Sequence, residues 1–252
     1  STDSDDITQQ TYKPGKLTIA TGQPAYEPWV MNDKPESGEG YEAAVAYAVA
    51  DKLGFKKSDV VWTRTAFDTA IAPGAKDWDF NIQQFGITDE RKKAVDFSSS
   101  YYNDSQSVVV KKDSKFANAT KVSDLKDATV GVMVGTLAYD YAKANIKDDI
   151  QTFNDDAALA QALDAGQIDA LVTSTVECVY MVQSEQVKDA KVLGRLPDSE
   201  DKSGMGIVLP KDSKLTAAVT KAVDDLNADG TIKKLQDKWL AEYTTDLTEL
   251  KK

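Results

Sequence analysis

The sequence predicts an α/β protein of two lobes joined by hinges. Short runs rich in Val, Ile and Leu alternate with helical segments, as in βαβ units. The alternation falls into two clusters of similar length, and 252 residues suffice for two modest domains. We therefore expect an inter-lobe cleft, with lobe 1 over 16–104 and 206–252, lobe 2 over 105–205, and hinges near 101–107 and 200–206.

The elements of lobe 1 follow from local signals. Gly54 follows a helical segment at the position of a C-terminal glycine, and Pro73 with Gly74 ends a short helix. The predicted strands are 17–20, 60–63, 80–82, 95–98 and 206–209, and the predicted helices are 42–53, 67–71, 215–226 and 231–243.

Lobe 2 repeats the pattern. Gly166 ends its most regular amphipathic helix, and Gly135 precedes another. The predicted strands are 107–111, 129–134, 150–153, 168–172 and 191–193, and the predicted helices are 122–125, 135–144, 156–165 and 174–182.

Composition excludes several classes of function. The net charge is −11, which argues against binding nucleic acid or an anionic membrane surface, because both require a basic face. The chain has no histidine, so histidine bases, Ser-His-Asp catalysis and histidine metal sites are excluded. Cys178 is the single cysteine, which excludes an intramolecular disulfide. We expect no metal and no cofactor.

The first 15 residues are polar and acidic, and we expect 1–15 to be a flexible tail. Two interpretations stay open for this segment, a tether to a membrane anchor and a frayed terminus. No run approaches the roughly 18 apolar residues of a membrane helix.

The most informative stretch is 79–102, in which a buried strand runs into a polar loop and Arg91 follows three residues after Thr88. An arginine just past a strand end is well placed to bind a carboxylate, because its planar fork can donate to both oxygens. The alternative is a surface ion pair of Arg91 with Asp89, Glu90 or Asp96.

The run GITDERKKAVDFSSSYY resembles the polar amino-acid-binding proteins of ABC importers, the family of glutamine- and histidine-binding proteins. The resemblance extends over about 16–243 and includes KLTIATGQPAYEPW, GEGYEAAVAYAVADKLGF, DAGQIDALVTS and DLNADGTIKKLQDKWL. It implies a periplasmic-binding-protein-like fold. It also implies a monomer that captures a small amino acid or related carboxylate in the cleft and delivers it to a permease, without catalysis. The expected location is extracytoplasmic, either periplasmic or lipid-anchored at the cell surface.

The resemblance also assigns ligand-binding roles. Arg91 takes the α-carboxylate, and Thr136 and Leu137 at a helix N-terminus add N–H donors, where an anion is favoured. Tyr26 and Phe67 match positions that enclose the aliphatic part of the ligand, and Trp29 lies beside them. For these three aromatic residues the alternative is an ordinary core position.

This chain departs from the family pattern at several positions of the site. Gly86, two residues before Thr88, stands where the family usually has a Ser or Thr. Gln84, two residues earlier, stands where a Gly or Ser is common. Ser174 stands where the family has the Asp that anchors the α-ammonium. A buried ammonium without a carboxylate is unfavourable, so either Glu27 or Glu177 replaces the anchor or the ligand is not a standard α-amino acid.

Two further differences concern specificity. Gln23 replaces an Asp that reads the ligand side chain in relatives, and Met133 replaces a Lys or Gln. These changes favour a neutral or mono-anionic solute. The alternative function is a dehydratase on the same fold, with Glu177 or Glu27 as the general acid.

Overall fold

The computed structural model describes residues 6–252. The chain forms two compact units. Unit 1 comprises Ser1–Asn103 and Ser203–Ala241, and unit 2 comprises Asp104–Lys202 and Glu242–Lys252. Each unit holds one five-stranded mixed sheet with helices. The prediction of an α/β protein with two units is confirmed.

Unit 1 contains both the first half of the chain and a later return segment. Its elements in chain order are β1 (Leu17–Thr21), α1 (Tyr41–Lys52), β2 (Val60–Arg64), α2 (Phe67–Ala70), β3 (Phe80–Asn81), α3 (Asp89–Lys92) and β4 (Val95–Tyr102). After unit 2 has been built, the chain adds β10 (Met205–Pro210), α7 (Thr216–Ala228) and α8 (Thr231–Trp239).

The sheet of unit 1 has the strand order β2-β1-β3-β10-β4. The first three strands are parallel, and β10 runs antiparallel to both β3 and β4. The carboxyl ends of β1, β2, β3 and β4 therefore share one edge with the start of β10. Buried side chains such as Leu17, Ile19 and Phe80 fix this arrangement by removing apolar surface from water.

Unit 2 is the second α/β cluster. Its elements are β5 (Gln106–Lys111), β6 (Val130–Met133), α4 (Leu137–Asn145), β7 (Ile150–Phe153), α5 (Asp156–Asp164), β8 (Ala170–Ser174), α6 (Thr175–Gln183) and β9 (Ala190–Arg195). The segment Val122–Leu125 is a 3-10 helix, and α9 (Ala241–Thr244) begins the C-terminal segment.

The sheet of unit 2 has the order β7-β6-β8-β5-β9. The strands β7, β6 and β8 are parallel, and β5 pairs antiparallel with β8, with Gln106 opposite Ser174. The carboxyl ends of β6, β7 and β8 thus share an edge with the start of β5. Side chains from both faces of the sheet, such as Val130 and Leu171, are fully buried.

The segment before β1 differs from the flexible tail that the sequence predicts over 1–15. Residues 1–5 lie outside the described part, but Ile7–Gln9 forms a 3-10 helix. The backbone N–H groups of Tyr12 and Thr18 both donate to the buried carboxylate of Asp79, each at 2.7 Å. The prediction of a flexible tail rested on the polar composition of this segment. Backbone contacts such as these order a segment without apolar side chains.

The last residues also differ from the prediction, which places 206–252 in lobe 1. The segment Glu242–Lys252 belongs to unit 2. Leu250 is buried in the core of unit 2, and its N–H donates to the carbonyl of Arg195 at 2.9 Å. The predicted helix over 231–243 is correspondingly interrupted between α8 and α9.

Among residues 6–252, none of the helices has the length and apolar character needed to cross a bilayer.

Candidate functional site

Three loops of unit 1 follow the carboxyl ends of parallel strands at one sheet edge. Residues 22–30 follow β1, Thr65 and Ala66 lead from β2 into α2, and residues 82–88 connect β3 to α3. In open α/β sheets, ligands bind at this edge, beside helix N-termini. The topology therefore brings together loops that begin at residue 22 and end at residue 88 of the sequence.

Arg91 is half-buried at this edge, in the short helix α3. Its guanidinium lies over the ring of Phe67, with Cζ 5.4 Å from the ring centroid, and Nη1 donates to the carbonyl of Gly86 at 2.7 Å. Burial lowers the pKa of Arg91, and the nearby Asp68 opposes this shift. An arginine nevertheless stays charged in a protein, so this corner of unit 1 carries a positive charge.

The alternative of a surface ion pair for Arg91 does not describe the structure. Glu90 pairs with Lys93 at 3.2 Å, and Asp96 lies 3.7 Å from Lys211. Within the described part of the chain, Arg91 forms no ion pair. By contrast, Arg64 pairs with Asp33. Most donors of Arg91 therefore stay available for a carboxylate.

Thr88 has a positioning role. It is the N-cap of α3, and its Oγ1 accepts a hydrogen bond from the N–H of Arg91 at 3.1 Å. This contact satisfies one of the free donors of the helix start. It also fixes the backbone from which the Arg91 side chain projects.

Gln84 and Gly86 lie in the loop between β3 and α3. Gln84 has a left-handed backbone with φ of 53°, a conformation that costs a non-glycine residue about 1–2 kcal/mol. Both its N–H and its side-chain amide donate to the carboxylate of Glu42. A Cβ at Gly86 would lie 3.4 Å from Nη1 of Arg91, so the arginine occupies the space beside this glycine.

The aromatic residues divide into two groups. Phe67 packs on Phe85 with ring centroids 4.7 Å apart, beneath Arg91, and Tyr26 is 56% exposed in the loop after β1. Trp29 is only 5% exposed, and it packs on Tyr41 and Tyr102. The ring of Trp29 thus lies in the aromatic core of unit 1, in agreement with the alternative of an ordinary core position, and its role in the ligand wall stays a prediction.

Gln23 and Glu27 lie in the same loop after β1. Gln23 is exposed, and Glu27 is half-buried and accepts a hydrogen bond from the N–H of Asn32 at 3.3 Å. The Glu27 carboxylate thus serves the loop itself.

The N-terminus of α4 forms part of the corresponding edge of unit 2. The hydroxyl of Thr136 donates to the carbonyl of Met133 at 2.7 Å and accepts from the N–H of Tyr139 at 3.2 Å. In the described residues, the N–H groups of Thr136 and Leu137 have no hydrogen-bond acceptor. The helix therefore presents free donors and the positive end of its dipole, flanked by the exposed side chains of Val134 and Leu137.

Acidic side chains lie at the same edge of unit 2. Thr173, near the end of β8, donates from its hydroxyl to Asp156 at the start of α5, across 3.2 Å. Glu177, in the first turn of α6, has its pKa raised to about 7, by burial first and then by the charges of Asp156 and Asp104. Burial also raises the pKa of Asp156. Asp156 and Asp104 are therefore close enough to Glu177 to raise its pKa.

Ser174 is the last residue of β8 and precedes α6, and its side chain forms no cap of that helix. An acid is thus absent at position 174 itself, but Glu177 and Asp156 lie on the two elements beside it. Glu177, one of the two acids that the sequence offers in place of the missing Asp, thus lies beside position 174 with Asp156. Within the described residues, no cluster of three or more acidic or cysteine side chains has the arrangement of a metal site.

Glu42 and Asp156 were missed by the sequence analysis. Glu42 is one of the helical residues of α1, where an acid is ordinarily a surface residue, and its burial could not be seen from spacing. Asp156 follows a strand and starts a helix. Ligand-binding residues of open α/β sheets typically lie at this position, just beyond the carboxyl end of a strand. That signal was available in the sequence.

The bacterial extracellular solute-binding proteins, family 3, match this chain over residues 17–242. The L-arginine-binding protein of Pseudomonas aeruginosa is 29% identical over 245 residues, which cover 91% of this chain and 88% of that protein. The L-cystine-binding protein TcyJ of Escherichia coli is 30% identical over 223 residues, covering 87% and 81%. An ancestral arginine-binding protein bound to arginine is similar in structure, with a TM-score of 0.66, 31% identity and coverage of 89% and 98%.

Proposed function

The chain belongs to the bacterial extracellular solute-binding proteins of family 3, and we propose that it binds a free α-amino acid, preferably a cationic one. The observation that carries the proposal is the half-buried Arg91, which forms no ion pair in the described residues and lies on Phe67. A guanidinium held in this way binds a carboxylate through two parallel hydrogen bonds. In this proposal Arg91 binds the α-carboxylate, and the N–H groups of Thr136 and Leu137 add donors to it.

The acids of unit 2 take the positive part of the ligand. Burial, and then the charges of Asp156 and Asp104, raise the pKa of Glu177, as expected for a buried carboxyl group beside other acids and without a cation. A ligand ammonium or guanidinium relieves that repulsion. This charge favours a cationic amino acid over the neutral or mono-anionic solute that the missing Asp suggests, and the similar L-arginine-binding protein supports the same choice.

The test is a thermal-shift screen of the twenty amino acids, L-ornithine and L-cystine, followed by calorimetry. Two analogues of L-arginine accompany it: agmatine, which lacks the carboxylate, and 5-guanidinopentanoate, which lacks the α-ammonium. Ligand at 100 times its dissociation constant stabilises the folded state by about 2.7 kcal/mol. We expect a cationic amino acid to raise the melting temperature and both analogues to fail. No shift with any amino acid, or agmatine binding as tightly as L-arginine, would overturn the proposal.

We also propose that the protein is a monomer that delivers its ligand to an ABC permease from outside the cytoplasm, either in the periplasm or lipid-anchored at the cell surface. The large exposed apolar side chains among the described residues are Tyr12, Tyr26, Val134 and Leu137. These side chains are too few for an obligate dimer interface, which buries about 2,000 Å² or more of accessible surface. Light scattering on the purified protein tests the monomer.

A dehydratase is the second candidate, and one observation favours it. With a pKa of about 7, Glu177 holds a proton at neutral pH for part of the time, as a general acid must. The relatives described above are named as binding proteins, not enzymes. Incubation with a carboxylate that carries a β-hydroxyl group, followed by mass spectrometry, separates the two functions: we expect an unchanged compound, whereas loss of its hydroxyl group and a neighbouring proton as one water would show elimination.

A further inference from the structure

Glu42 is a buried carboxylate in α1 that the proposed binding contacts do not use. It is 1% exposed. Three groups donate to it: the N–H of Gln84 at 2.8 Å, the side-chain amide of Gln84, and the hydroxyl of Tyr101. In residues 6–252 it forms no ion pair. A buried carboxylate without a cation is unfavourable unless donors replace its water, and Gln84 and Tyr101 supply those donors.

The segment that Glu42 holds is the one that carries the anion-binding groups. Gln84 is in the left-handed conformation, and the loop from it leads through Gly86 to Arg91. Glu42 restrains the beginning of this loop, whereas the Thr88 cap restrains its end. The direction of the Arg91 guanidinium therefore depends on contacts at both ends.

The same loop is bonded to the return strand of unit 1. The N–H of Gly206 donates to the carbonyl of Phe85 at 3.0 Å, and the N–H of Ile87 donates to the carbonyl of Gly204 at 2.9 Å. These contacts restrain the middle of the loop. Glu42, through the hydroxyl of Tyr101, joins the loop to the end of β4.

We propose that Glu42 is a positioning residue for ligand binding, whose ionised carboxylate orients the Gln84–Arg91 segment by holding Gln84 against Tyr101. The proposal rests on the proposed function, because it assigns Arg91 to the ligand carboxylate. Glu42 itself does not touch the ligand.

Protonation of Glu42 weakens its contacts with Gln84, because a neutral carboxyl group is a poorer hydrogen-bond acceptor than a carboxylate. Burial raises the pKa of Glu42 to about 7, although the three donors oppose the shift. The titratable groups that interact with it are Tyr101 and Tyr41, and the pKa values of both hydroxyls are raised, so they stay neutral near pH 7. On the side of α8, Gln236 contacts Tyr41 and is uncharged. Protonation removes an acceptor from Gln84, so ligand affinity falls as the pH drops through about 7.

The first experiment measures amide exchange of the Gln84 N–H without ligand. In Glu42→Gln we expect exchange at least tenfold faster than in the wild type. The control is Glu39→Gln, which removes the same charge from an exposed position three residues earlier and leaves exchange unchanged. Exchange within twofold of the wild type in Glu42→Gln would overturn the positioning role.

The second experiment measures the affinity for L-arginine from pH 5.5 to 8.5 by calorimetry, in a Glu177→Gln background, since Glu177 titrates in the same range. We expect affinity to fall about tenfold below pH 7 when Glu42 is present and to be weak and flat with Glu42→Gln. Faster exchange with an unaltered pH profile would mean a purely structural role and overturn the proposal. If L-arginine does not bind the wild type, the proposed function fails, whereas amide exchange still decides the role of Glu42.

A milder variant keeps the test valid if Glu42→Gln does not fold. Tyr101→Phe removes one donor but retains the ring and the carboxylate. Loss of that donor raises the pKa of Glu42 further, so the midpoint of the affinity profile moves to higher pH. A midpoint at the wild-type pH, or one at lower pH, would contradict the proposal.

Discussion

The hydroxyl of Thr173 donates to the carboxylate of Asp156 across 3.2 Å, which joins the end of β8 to the start of α5. Parallel strands β6, β7 and β8 bring these residues to one sheet edge, together with Glu177. Position 174 itself carries no acid, but two different helices place Asp156 and Glu177 beside it. In the proposed function these carboxylates bind the ligand ammonium.

Arg91→Ala should weaken binding of the amino acid at least tenfold, because a charge-assisted hydrogen bond contributes about 1.5–3 kcal/mol. Calorimetry with the ligand found in the screen measures the change. Lys93→Ala is the matched control, since Lys93 is an exposed cation two residues away that pairs with Glu90. Equal affinity of the Arg91 variant and the control would remove Arg91 from the site.

Glu177→Gln should weaken binding of L-arginine at least tenfold while it leaves binding of 5-guanidinopentanoate, however weak, nearly unchanged. The reason is that only the first ligand carries an α-ammonium for the carboxylate to neutralise. Glu200→Gln, an exposed acid of the same unit, serves as the control. Equal losses for both ligands would assign Glu177 to the guanidinium or to folding.

The stability of the ligand-free protein should fall as the pH rises from about 4.5 to about 7. Folding raises the pKa of Glu177 from 4.5 to about 7, so the folded state binds more protons in this window. The protonated Glu177 thus contributes up to about 3 kcal/mol to the free energy of unfolding. This contribution is fully present below pH 4.5 and is lost as the pH rises through about 7. Urea unfolding at pH 5 and pH 7.5 measures it, and Glu177→Gln should reduce the difference. If Glu177→Gln showed the same stability difference between pH 5 and pH 7.5 as the wild type, the raised pKa of Glu177 would be contradicted.

Thr136→Ala should destabilise unit 2 by about 1 kcal/mol, because it removes the N-cap that accepts from the N–H of Tyr139. It should also weaken ligand binding, since the start of α4 loses its fixed geometry. Thr136→Ser keeps the hydroxyl and should restore both properties. Thermal unfolding and calorimetry on the two variants check this, and equal behaviour of Ala and Ser would exclude a role for the cap.

Trp29→Phe should destabilise unit 1 by roughly 1–3 kcal/mol, as is usual when a buried aromatic is shortened. The ligand affinity of the folded variant should stay within about twofold of the wild type, because Trp29 packs on Tyr41 and Tyr102 and not on the Arg91 corner. Urea unfolding and calorimetry provide the two measurements. A large loss of affinity with little loss of stability would return Trp29 to the ligand wall.

The sequence by itself determined the order and type of most elements, and it singled out Arg91 as the arginine proposed to bind a carboxylate. Gly54 and Thr136 mark helix ends through contacts within four residues, so their meaning is contained in local spacing. The strand that precedes Arg91 is likewise visible as a short apolar run. Local rules of this kind are sufficient wherever the interacting groups are neighbours in the chain.

Only the tertiary structure decided which distant side chains meet. Asp79 fixes the segment before β1, Leu250 joins unit 2, and Glu42 accepts from Tyr101, 59 residues away. Trp29 is buried because residues far from it in the sequence, such as Tyr102, pack around its ring. Burial and the pKa of a carboxyl group depend on what packs around it, and strand order, which spacing does not encode, determines that packing.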